Sequence, residues 1–127
     1  MTPVRALLDT HALLWWIIDS PRLSEAARQV IGAESSEIYV SVASLWEARI
    51  KQRLGKLTLP ANFREEITRQ GFHELNVTGS DTDVLAALPL HHRDPFDRLL
   101  IAQAIGGSLT IVTADEQFAH YQVLTVG

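Results

Sequence analysis

Cysteine is absent from the 127 residues, which excludes a disulfide framework, a thiolate zinc site and a cysteine nucleophile. An excess of positive charge is missing too: 11 Lys and Arg stand against 15 Asp and Glu, for a formal net charge of -4. Proteins that coat nucleic acid by bulk electrostatics need clustered cations to neutralise phosphates. Any nucleic-acid partner of this chain is therefore expected to be held locally. The longest apolar run, residues 12–18, is far short of the roughly 20 residues that span a bilayer. Strand-like residues begin at Val4, with no basic stretch, apolar core and small-residue cleavage site before them, so a cytoplasmic protein without a secretory leader is expected. What is present is a globular composition, 46% apolar and 20% charged, sufficient for one core in a single domain over residues 1–127.

No repeat, linker or low-complexity tract interrupts the chain, and its elements alternate. Residues 4–8 form a short apolar strand ending at Asp9, followed by a helix over 11–18. Ser24 caps a helix to about residue 31; residues 38–40 are β-rich, and a helix over 44–54 follows. Residues 60–70 read as helical, 75–77 as a short strand, and Ser80 with Asp83 as a capping box for a helix ending near Leu88. Asp94 with Pro95 announces a helix that stops at Gly106 and Gly107. Residues 109–112 form a strong strand, and a turn around Phe118 leads to a last strand over 123–126. Such alternation implies an α/β fold with a mainly parallel central sheet flanked by helices on both faces.

In such folds ligands bind beyond the carboxyl ends of the strands, and four acids fall there. Asp9 follows the first strand, Glu47 falls in what reads as the first turn of its helix, Asp97 is the third residue after the Asp94 cap, and Asp115 comes just after residues 109–112. Each has an ordinary use as well. Asp9 and Asp115 can cap helical turns, Asp97 suits a helix N-terminus, and Glu47 can box with Ser44 or pair with Lys51. Ala43, Trp46, Ile50 and Leu54 read as the buried stripe of that helix, with Glu47 beside it. Carboxylates brought close together raise one another's pKa unless a proton or a hard cation is shared. All-oxygen ligands without cysteine favour Mg²⁺ or Mn²⁺.

The segments LLDTHALLWW, SVASLWEARIK, DPFDRLLIAQA and VTADEQF, taken together and in order, resemble the PIN-domain ribonucleases, specifically the VapC-like toxins of bacterial type II toxin-antitoxin pairs. The resemblance covers nearly the whole chain and implies a metal-dependent endoribonuclease with Asp9, Glu47, Asp97 and Asp115 as catalytic metal ligands. It further implies supporting roles for Thr10, Thr113 and Asp94, an antitoxin partner, and hydrolysis leaving 5'-phosphate and 3'-hydroxyl ends. Ala114 departs from the pattern, since many members carry a basic residue there.

Two rivals remain. An aspartyl-phosphate mechanism would use a second Asp two residues after the first and a late Lys, whereas Asp9 is followed by Thr10 and His11, and no Lys follows Lys56. A noncatalytic module whose acidic cleft binds a basic peptide makes the same residue prediction as the nuclease. Adjacent His91 and His92 would point apart, which argues against a histidine metal site, and His11 is expected at the cleft rim. Local positive charge for RNA is expected from Arg49, Lys51, Arg53 and Lys56, although such residues also make ordinary solvated faces. Trp15 and Trp16 read as core or interface. Leu13 to Ile18 surround their helix with more apolar surface than one sheet face can cover, so a homodimer through that helix is expected.

Overall fold

A computed structural model describes residues 4–127; the first three residues of the expected 1–127 domain lie outside it. Five strands, β1 (Arg5–Leu8), β2 (Glu37–Ser41), β3 (His73–Leu75), β4 (Thr110–Val112) and β5 (Thr125–Val126), form one sheet in the order β3-β2-β1-β4-β5. Every pairing is parallel, so the sheet is wholly rather than mainly parallel. β1 is central because residues 6–8 are apolar without interruption and fully buried, as a strand covered on both faces requires. Leu8 pairs in register with Val40 on one side and Val112 on the other. Asp9, Ser41 and Thr113 therefore follow one another across the same edge.

The helices are α1 (Thr10–Ile17), α2 (Glu25–Gly32), α3 (Val42–Arg53), α4 (Phe63–Arg69), α5 (Gly79–Ala87) and α6 (Pro95–Gly107), with a 3₁₀ turn at Glu116–His120. Ala6, Leu8, Val40 and Val112 pack with α1, α2 and α4 on one face. On the other, Leu7 and Ile111 pack with Leu100, Ile101 and Ala104 of α6 and with Phe118. α3 reaches both cores, through Ala43 in one and Ala48 in the other. No helix among the described residues is long and apolar enough to cross a membrane.

Several boundaries differ from the sequence expectation. α3 starts at Val42, with the Ser41 side chain accepting from the Ala43 N–H at 3.0 Å. Ser44 is therefore inside the helix, not its cap, and Glu47 falls in the second turn. The stripe of α3 is also displaced: Ala43, Ser44, Glu47 and Ala48 are buried, whereas Trp46 and Leu54 are 62% and 63% exposed. Helices approach closely here, and small side chains permit it. The capping box of α5 uses Thr78 and Asp81 rather than Ser80 and Asp83. β3 comes two residues earlier than expected, and α6 runs through both glycines to end at Ser108.

The apolar surface of α1 is mostly used within the chain. Leu13 and Leu14 are buried, and Trp15, Trp16 and Ile17 pack against the same core. Trp16 donates its indole N–H to Gln70 at 3.0 Å and tilts against Phe72. Trp15 lies between the His11 ring and the Arg22 guanidinium. Only Ile18 remains widely exposed, so the premise that α1 needs a second copy to cover it fails.

Candidate metal centre

At the carboxyl edge of β1 the chain turns straight into α1, and Asp9 is the N-cap. One Asp9 oxygen accepts from the Ala12 N–H at 2.8 Å and the other from the Thr113 hydroxyl at 2.6 Å. Thr113 in turn accepts from the Asp115 N–H at 3.0 Å. Glu47, buried on α3, accepts from the Thr10 hydroxyl at 2.6 Å and pairs with Lys51 at 3.0 Å. Thr10 and Thr113 thus each hold one of the two most buried acids by a hydroxyl hydrogen bond.

Asp94 caps α6, accepting from the Phe96 and Asp97 N–H groups at 2.9 and 3.2 Å. This places Asp97 in the first turn, facing the edge of the sheet. Asp115 is bifunctional: one oxygen accepts from the Gln117 N–H at 2.9 Å as the cap of the 3₁₀ turn, and the other meets His92. The His92 Nε2 lies 3.0 Å from an oxygen of Asp97 and 3.0 Å from that oxygen of Asp115. Donor atoms of these three residues all lie within 4.8 Å of one another. The Asp9 and Glu47 oxygens fall outside that trio.

Their charge nevertheless reaches it. Asp97 is pushed up to about 7, first by burial and then by Asp94, with smaller contributions from Asp9 and Glu47 against the opposing effect of His92. Asp9 is raised as well, mainly by burial, against the hydrogen bonds from Thr113 and Ala12. Five acids thus gather where protein cations are scarce, and the site is short of positive charge. That shortage, with carboxylate oxygens far outnumbering the one imidazole nitrogen and no thiolate, fits a hard divalent cation.

Of the four basic residues expected to meet RNA, only Lys51 reaches the acids. Arg49 stands over the Phe63 ring and bonds Gln52. At about 100° per residue, Arg49 and Arg53 lie on the far side of α3 from Glu47, and with Lys56 they are exposed. His11 is exposed beside Asp9, at the rim as expected. Against the histidine site, the sequence argument held that adjacent histidines point apart. They do: His91 packs on Tyr121 and His120 while His92 enters the acid cluster. Their adjacency rules out a paired histidine site but not a single histidine, and the only sequence signal of His92 is its place two residues before the Asp94 cap. Ser44, buried 3.1 Å from the Thr10 hydroxyl, was also missed.

The sequence profile of the PIN domain matches residues 6–124. The chain belongs to the PIN-domain family. This PIN domain is 30% identical over 119 residues to Ribonuclease VapC22 of Mycobacterium tuberculosis, a match that covers 91% of each chain. Its fold is shared by VapBC2 of Rickettsia felis bound to a promoter DNA fragment, with a TM-score of 0.71 at 14% identity over 97% of this chain and 98% of that one. FitAcB of Neisseria gonorrhoeae gives 0.67 at 21% identity, over 96% of each chain. The profile match leaves only the chain ends uncovered, in keeping with one PIN domain whose acids come from β1, α3, α6 and the segment after β4.

Proposed function

We propose that this PIN domain is an Mg²⁺- or Mn²⁺-dependent endoribonuclease, the toxin of a type II toxin-antitoxin pair acting in the cytoplasm. The observation that carries the reading is the gathering of Asp9, Glu47, Asp97 and Asp115 at one sheet edge, with the Asp97 carboxyl pushed up to about 7, first by burial and then by its acidic neighbours. The kinship with a named ribonuclease supports RNA as the substrate. Asp97 and Asp115 would hold the cation, with Asp9 and Glu47 beside them. A divalent ion so held supplies an activated water and offsets charge on phosphate oxygens. The chain's own part is positional: Thr10 and Thr113 orient carboxylates. Lys51 is the cation best placed to meet a phosphate at the site. Arg49, Arg53 and Lys56 act at longer range, as charge along the path of the strand.

A toxin-antitoxin complex from Klebsiella pneumoniae that shares the fold, with a TM-score of 0.66 at 20% identity over 96% of each chain, supports a cognate antitoxin as partner. A second copy of this chain would dock through α3, where Trp46, Ile50 and Leu54 form an exposed ridge at i, i+4 and i+8. The test of function is cleavage of end-labelled RNA by pure protein, with Mg²⁺ or Mn²⁺ and with chelator. Cleavage lost on chelation and in Asp97→Asn, with 5'-phosphate products, is expected. Intact RNA under every condition, together with tight binding of an Arg-rich peptide, would instead make the cleft a noncatalytic partner site.

A further inference from the structure

We infer that His92 is a positioning residue for the metal site: its Nε2–H clamps Asp97 and Asp115 into one donor pair, and the ring is not itself a ligand. The inference rests on the metal-dependent reading above.

Two contacts on opposite sides of the ring decide its chemistry. The Asp94 backbone N–H donates to Nδ1 at 3.2 Å. A ring nitrogen that accepts a hydrogen bond carries no proton, so the imidazole proton sits on Nε2. Nε2 then has no lone pair to offer a cation, and its N–H is shared between Asp97 and Asp115, each at 3.0 Å. For Nε2 to become a ligand, the proton would have to move to Nδ1. There it would face the Asp94 N–H, donor against donor.

The ring is held firmly in this role. His92 is 8% exposed and meets Phe118 edge to face. The backbone N–H groups of His91 and His92 both donate to the Tyr121 hydroxyl, at 3.0 and 2.9 Å, and that hydroxyl donates to the Pro89 carbonyl at 2.9 Å. Asp115 needs such a clamp, because its side chain is 37% exposed and repelled by its acidic neighbours. A bridging N–H offsets that repulsion and leaves the remaining carboxylate lone pairs for a cation. Removing groups that orient metal ligands commonly weakens metal binding by about 10–100-fold.

Calorimetric titration of Mn²⁺ into the parent, His92→Leu and His92→Gln tests the clamp. Loss of about 10–100-fold in affinity is expected for His92→Leu, with most of it regained by His92→Gln, whose amide still donates. On the unaltered protein, ¹⁵N-histidine spectra should show a protonated Nε2 both before and after saturation with Mg²⁺, and bound Mn²⁺ should show no ¹⁴N hyperfine coupling. A ¹⁴N coupling, or loss of the Nε2 proton on Mg²⁺ binding, would make His92 a ligand and overturn the inference. Parent-like Mn²⁺ affinity in His92→Leu would overturn the clamp alone, leaving the metal-dependent reading in place. A parent that binds neither ion would bring down both.

Discussion

Asp97 carries the sharpest consequence at the residue scale. In the unfolded chain its carboxyl ionises near 3.9, whereas in the fold it keeps its proton up to about 7. Between those values the native state binds more protons than the unfolded one. Asp97's share of metal-free stability is therefore fully present below about pH 4, declines as pH rises through the window, and is lost above about 7. Asp97→Asn removes this dependence, so without metal it should melt at or above the parent at about pH 8, and the advantage should vanish near pH 4. Mn²⁺ at 100 times its dissociation constant should stabilise the parent by about 2.7 kcal/mol and the variant far less. Calorimetry with chelator and with Mn²⁺ reads both effects. A variant that melts well below the parent without metal, and gains equally from Mn²⁺, would leave Asp97 as a helix-end residue only. Asp9, Asp97 and Asp115 were legible in the sequence because each closely follows a strand or opens a helix, whereas Glu47 lies a turn deeper in α3 than the sequence reading put it. His92 was not legible, because its contact with Asp115 spans 23 residues and depends on how the loop before α6 is pinned.

At the scale of elements, ends with a strong local signal were readable and packing faces were not. Asp94 with Pro95 fixed the start of α6. The exposed apolar residues of α3 were mistaken for its buried stripe, since periodicity reports a face without saying which neighbour covers it. A tight crossing by Ala43, Ser44 and Ala48 leaves no hydrophobic signature. The C-cap of α6 offers a test: Ser108 sits at φ 53°, in the left-handed region. A non-glycine residue there costs about 1–2 kcal/mol, part of which glycine returns as lost chain entropy. Ser108→Gly should thus stabilise by roughly 0.5–1 kcal/mol and raise the melting temperature by a few degrees; a fall would show that the serine side chain matters more than its backbone angle. Tyr121→Phe should do the opposite. It strands the His91 and His92 N–H groups, while the Pro89 carbonyl keeps the Arg98 guanidinium at 3.0 Å, and an unsatisfied buried polar group costs about 1–3 kcal/mol. Chemical denaturation measures the loss, and an unchanged midpoint would mean that water replaces the hydroxyl.

For the whole molecule, the α/β class and the parallel sheet followed from the alternation of elements, but the exposed apolar ridge of α3 did not. The α3 ridge, with Trp46 at 62% and Leu54 at 63% exposure, predicts a dimer that Trp46→Glu with Leu54→Glu converts to monomer without lowering the melting temperature. Sedimentation of parent and variant decides this, and a parent that stays monomeric at micromolar concentration rules the ridge out. RNA affinity should fall steeply with salt, and Arg49→Ala with Arg53→Ala should flatten that slope while leaving Mn²⁺ binding unchanged. An unaltered slope would return both to an ordinary solvated face. The position of β1 matters in a different way. Among the described strands it is made before the other four but occupies the middle of the sheet, and β4, its neighbour on one side, lies about a hundred residues later. Pairings that span such a length of chain form slowly and late. During synthesis β1 can dock on β2 early, yet one flank of it stays bare until the last quarter of the chain has left the ribosome. Asp9 waits with it. A polypeptide made only as far as α5 therefore carries two of the four acids, an exposed central strand and no complete site, so any nuclease activity waits for α6 and β4 to fold home.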